Sequence, residues 1–237
     1  MISKENIFLR GMIKHLYCIK SFYFGMMINF FDENNFKTLC RKLAKRDAVF
    51  QVIISQYGFP PLWSRKPSFE TLVQIILEQQ VSLASARAAL GKLKAKMSGI
   101  TPNKLLDLSN EELKACYCSR QKIMYLKHLA NAVTEGHLVI ESLSNLNDEN
   151  IRQQLKQIKG IGDWTADVFL MMALHRINLF PVGDIALVNS VRHLMKDKEM
   201  SKEAILLLSK NWEPYRTIAA FLFWHAYIQR KGLVLQP

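Results

Sequence analysis

The chain has 237 residues, 49% of them hydrophobic and 22% charged, which supports one large domain or two small ones and excludes a disordered chain. Its formal net charge is +12, from 32 Lys and Arg against 20 Asp and Glu. That surplus favours a polyanionic partner but does not choose between DNA, RNA and an anionic membrane.

The first stretch, Met1 to Met27, is apolar and aromatic, and Lys14, His15 and Lys20 interrupt it. It lacks the clean apolar run and small-residue cleavage site of a signal peptide. Residues 1–30 are read as an N-terminal extension, with initiation at Met26 or Met27 as the alternative. From there on, the apolar spacing is helical. Phe69, Leu72, Val73, Ile76 and Leu77 repeat at three and four behind Ser68, a suitable N-cap. A second helix starts at Ser82 and carries Ala86, Ala89, Leu90 and Leu93. A third carries Tyr125, Leu126, Leu129, Ala130 and Val133, with Gly136 as its stop. Ile151, Leu155 and Ile158 lead into Gly160-Ile161-Gly162, after which Ala166, Phe169, Leu170 and Leu174 mark a further helix. Ile185, Val188, Val191 and Leu194 follow, and then Ile205, Leu208, Ile218, Phe221 and Leu222. No alternation of period two stands out, so the expected fold is all-α, two helical lobes with a cleft between them.

Cys18, Cys40, Cys116 and Cys118 have neither zinc spacing nor the density of a disulfide framework. They are read as reduced thiols of an intracellular protein with no metal site. No apolar run approaches the roughly 18–20 residues of a membrane-spanning helix, so no membrane partner is expected.

The segment Leu155 to Ala166 reads as a helix, a Gly-Ile-Gly turn and a second helix. Two glycines allow positive φ and leave no side chain in the way of a ligand. The backbone N–H groups of the turn and of the next helix start can then point at an anion, and on a basic protein a DNA phosphate is the natural candidate. Ile161 would pin the turn to the core. Taken alone, Gly-x-Gly is more often a plain corner between helices.

Downstream stands Phe180-Pro181-Val182-Gly183-Asp184-Ile185. With it, the chain resembles the helix-hairpin-helix glycosylases of the endonuclease III superfamily, most closely the bacterial 3-methyladenine DNA glycosylase II branch. Three further segments carry the likeness: Phe69 through Gln79-Gln80-Val81-Ser82, Ser119-Arg120-Gln121-Lys122 with Tyr125, and Trp212-Glu213-Pro214-Tyr215-Arg216 with Trp224. The resemblance spans roughly residues 40 to 228 and implies a helix-hairpin-helix glycosylase domain over 31–237, with its hairpin at about 151–170.

On local grounds Asp184 is an N-cap. By resemblance it is also the catalytic carboxylate, stabilising positive charge on the sugar and orienting or deprotonating a water. Members that also cut the strand carry a lysine where this chain has Trp164, so water attack and an abasic product are implied. Trp164 and Trp224, with His225 beside them, would wall the base pocket, where π-faces favour cationic alkylated purines. Gly160, Ile161, Gly162 and Thr165 would bind DNA, and Gln80 would fill the gap left by the flipped nucleotide. Arg120, Lys122, Lys156 and Lys159 are further candidates for phosphates.

The implied partner is double-stranded DNA containing damaged bases, bound by a monomer in the cytoplasm, nucleoid-associated if the source is bacterial. No cofactor is expected beyond a structural monovalent cation on hairpin carbonyls. An iron–sulfur cluster is excluded, since no cysteine follows Cys118. Another base specificity on the same scaffold, or a non-catalytic DNA-binding module, are the alternatives.

Overall fold

The computed structural model describes residues 30–233, so all but the last residue of the expected N-terminal extension lies outside them. Twelve α-helices occur among the described residues. They are α1 (Phe36–Arg46), α2 (Ala48–Tyr57), α3 (Phe69–Glu78), α4 (Leu83–Lys96), α5 (Pro102–Asp107) and α6 (Asn110–Ala115), followed by α7 (Arg120–Thr134), α8 (Asp148–Lys156), α9 (Asp163–Met172), α10 (Ile185–Leu194), α11 (Lys202–Ser209) and α12 (Arg216–Arg230). Short 3-10 turns occupy Ile140–Asn145 and Lys210–Trp212. Among the described residues the extended pairing is a single bridge between Phe30 and Arg176, in keeping with the all-α expectation.

Local chemistry sets the helix starts. Ser68, Ser82, Ser119, Asn147 and Ser201 each accept a backbone N–H three residues on, which satisfies one of the four orphan donors of a first turn. Ser109 and Glu112 form a reciprocal capping box on α6. Beyond the end of α7, Gly136 takes φ +75°, as its stop role requires. The helix expected to reach Leu174 ends at Met172.

The helices pair in two groups. Helix α12 packs on α1, α2 and α10, and α11 joins α10. Helices α3 and α4 pair, and α7 packs on α3, α5 and α6. The hairpin helices α8 and α9 pair with each other, and α9 also lies against α3. One buried apolar cluster runs through helices of both groups. Its aromatic part includes Phe50, Trp212 and Phe223, with ring centroids 5.1–5.4 Å apart, spacings at which such pairs add to simple area burial. Cys40, Cys116 and Cys118 are buried free thiols. Burial pushes Cys40 up to about 12, so this thiol stays protonated and inert near neutral pH. Cys18 lies outside the described residues.

Candidate active site

The hairpin is built at Gly160. Its φ is +98°, and a Cβ there would stand 2.1 Å from Cγ of Tyr125. Both facts demand glycine. Ile161 is buried, as expected, and its N–H closes the turn on Ile158 O at 3.0 Å. That bond uses the donor, so Ile161 supports the turn and its N–H is not a free phosphate contact. Gly162 differs from Gly160. Its φ is −105°, it is exposed, and a Cβ on it would meet nothing within 4 Å. It precedes α9, and no side chain caps that helix. The first N–H groups of α9 are therefore open to an anion. Lys156 bonds the exposed Asp163 carboxylate at 2.5 Å, while Lys159 is exposed beside the turn. Behind the hairpin, Arg152 clamps the buried Asp167 at 2.7 Å. Burial holds the Asp167 carboxyl above its ordinary range, and the Arg152 charge opposes that shift.

Between α3 and α4 lies the loop expected to enter DNA. Gln80 is exposed at its tip with φ +55°, an uncommon conformation for a non-glycine residue. Its neighbour Gln79 fixes the loop: Nε2 donates to Gly160 O and to Thr165 Oγ1, both at 2.8 Å. From the other side, Lys122 Nζ donates to Leu77 O at 2.5 Å, and burial lowers its pKa. Two expectations change here. Thr165 is 2% exposed and its hydroxyl serves Gln79, so its side chain is not a DNA contact. Lys122 spends its ammonium on the open end of α3 instead of on a phosphate. Gln79, which sequence reasoning passed over, is the bridge, and its contacts stand 81 and 86 residues away, beyond any local pattern.

Asp184 stands at the start of α10. Oδ1 accepts Leu187 N at 2.8 Å, which is the expected N-cap. The same oxygen accepts Trp224 Nε1 at 3.1 Å, and Oδ2 accepts Trp164 Nε1 at 3.0 Å. An ionised carboxylate offers roughly four lone-pair positions, so three donors fix its orientation and leave room for a water. Trp164 and Trp224 thus meet at the Asp184 carboxylate, to which they present their N–H edges. Trp164 is half-buried, whereas Trp224 is 8% exposed and packs against Phe221 at 5.8 Å. Phe221 in turn meets the half-buried Trp63 at 5.3 Å, an aromatic of the α2–α3 connection that no local motif announces. His225 is a correction. It is 5% exposed and its Nε2 bonds Tyr57 O at 2.9 Å, so the ring serves the end of α2 and not the base pocket. Helix geometry explains this, since adjacent residues point about 100° apart.

Residues 73–214 match the family model of the HhH-GPD superfamily of base excision DNA repair proteins. The chain belongs to this superfamily. A putative DNA-3-methyladenine glycosylase of Bacillus subtilis is 31% identical over 73% of this chain and 64% of its own length. The DNA-3-methyladenine glycosylase 1 of Schizosaccharomyces pombe is 32% identical over 68% of this chain and 72% of its length. Among solved HhH-GPD relatives, the Schizosaccharomyces pombe 3-methyladenine DNA glycosylase in complex with abasic DNA superposes with a TM-score of 0.74 at 29% identity, covering 79% of this chain and 95% of that one.

Proposed function

We propose that this chain is a monofunctional DNA glycosylase that releases alkylated bases, of the 3-methyladenine and 7-methylguanine type, from double-stranded DNA in base excision repair. The observation that carries the reading is the Asp184 carboxylate, held by two indole N–H groups and one backbone N–H. The names of the relatives, DNA-3-methyladenine glycosylases, support the 3-methyladenine part of this reading.

In this reading the open start of α9 grips a phosphate, and Gln80 occupies the gap left by an extruded nucleotide. The half-buried Trp164 offers its face to a cationic base. The C1′–N bond breaks, and its electron pair neutralises the charge on the departing purine. Asp184 stabilises the positive charge developing on the sugar. It also orients a water, whose oxygen bonds C1′ and whose proton passes through the carboxylate to solvent. Trp164 has no amine to form a Schiff base, so the product is an abasic site. Borohydride is expected to trap no protein–DNA adduct; clear trapping contradicts this step.

The same proposal takes residues 31–237 as one glycosylase domain acting as a monomer in the cytoplasm. At the hairpin, the carbonyls of Ile158 and Gly160 already accept hydrogen bonds. A monovalent cation there would share engaged carbonyls, and no step is assigned to it.

The deciding experiment is mass spectrometry of free bases released from methylated duplex DNA. Wild type is expected to release 3-methyladenine and 7-methylguanine, and Asp184→Asn neither. Excision by the variant near the wild-type rate refutes the assignment.

A further inference from the structure

Away from the hairpin, α6 and α7 enclose a hollow of about 560 Å³ whose wall includes Lys114, Arg120, Lys127 and His128, with Glu111 as its acidic member. Nearby lysines spend their charge within the protein: Lys94 on Glu70 at 2.7 Å, and Lys96 on Glu112 at 2.8 Å. Lys114, Arg120 and Lys127 have no ion-pair partner among the described residues, although Glu111 shares their wall. Three unpaired cations against one carboxylate leave a positive surplus, which in a concavity of this size suits an extended polyanion better than a single ion.

The position of the hollow suggests which polyanion. Ser119, the cap of α7, lines it and also lines the depression formed by Gln80, Val81, Gly160 and Gly162 at the hairpin. The two hollows meet at one residue. A nucleic-acid backbone that leaves the hairpin past Ser119 arrives at Lys114 and Lys127.

We infer that the α6–α7 hollow is a second phosphate-binding surface, which holds DNA backbone outside the lesion site. This rests on the glycosylase reading. It adds contacts that fix the register of the duplex and read no sequence.

The test is the salt dependence of binding to a duplex with a stable abasic-site analogue, for wild type, Lys114→Gln/Lys127→Gln and Lys114→Arg/Lys127→Arg. Each neutralised phosphate adds about 0.9 to the slope of log affinity against log salt. The Gln pair is therefore expected to flatten the slope by about 2, which shrinks by about tenfold the affinity lost between about 50 and about 200 mM salt. The Arg pair, which keeps both charges, is expected to restore the wild-type slope. An unchanged slope in the Gln pair overturns the inference and leaves the surface to another partner, such as an acidic protein segment. Equal flattening in both pairs also overturns it, because shape rather than charge would then be at work. If wild type itself binds without salt dependence, the glycosylase reading falls with it.

Discussion

Two aspartates in this protein use the same device. Asp47 caps α2 through Val49 N at 3.0 Å and accepts Trp212 Nε1 at 2.9 Å. Asp184 caps α10 through Leu187 N and accepts two indoles. The surroundings differ. Trp212 is 1% exposed in the aromatic core, and the neighbouring Arg46 locks the corner by donating to Asn211 O and Glu213 O, both at 2.8 Å. Both carboxylates are half-buried between exposed neighbours, Arg46 and Ala48 in one case and Gly183 and Ile185 in the other, but the Asp184 partner Trp164 is itself half-buried and follows the uncapped start of α9. A carboxylate held by an indole is thus a structural joint in one place and a candidate reaction centre in another. What separates them is the indole partner: Trp212 is sealed in the core, whereas Trp164 is half-buried beside the open start of α9.

Substitutions at the two aspartates and at the hairpin glycines test whether the distinction holds. The largest effect is expected for Asp184→Asn in single-turnover base release, a loss on the order of 10³-fold with duplex binding retained. A variant that lost binding and excision together would make Asp184 a second structural joint. Gly160→Ala is next: steric conflict with Tyr125 and the positive φ should cost about 3 kcal/mol in chemical unfolding. For Asp47→Ala, removing the cap and stranding a buried indole N–H should cost roughly 2 kcal/mol, with the excision rate per folded molecule unchanged. A selective loss of catalysis there would erase the distinction between the two aspartates. The smallest effect is expected for Gly162→Ala. Nothing in the protein occupies the space its Cβ would take, so stability should hold within about 0.5 kcal/mol. The new methyl group would stand where the DNA backbone approaches, and duplex affinity should fall about tenfold, or about 1.4 kcal/mol. Unchanged affinity in a binding titration would remove this face from the DNA contact.

The periodic helices were legible because apolar spacing and caps are local signals. Ser68 and Ser82 stand at the starts expected of them, and Asp184 caps α10 as its place before an apolar repeat implied. The family resemblance named Asp184, Trp164 and Trp224 as site residues, but the hydrogen bonds that assemble them were not legible. Trp164 and Trp224 reach Asp184 across 20 and 40 residues, and the Gln79 contacts are longer still. Such pairings depend on how α3, α9 and α12 cross, which periodicity does not encode. His225 and Thr165 show the reverse error. Their place beside site residues in the chain suggested a role, but side-chain direction on a helix took both inward. The short helices α5 and α6 gave too few turns for a period to emerge, and with them the α6–α7 hollow went unseen.

Adjacent glutamines divide the work of the α3–α4 loop. Residue 79 is spoken for by the hairpin, whereas residue 80 projects from a backbone that others hold in place. Position 80 is therefore a replaceable tip on a fixed mount: its chemistry can be exchanged, among side chains that a left-handed backbone admits, without retuning the grip behind it.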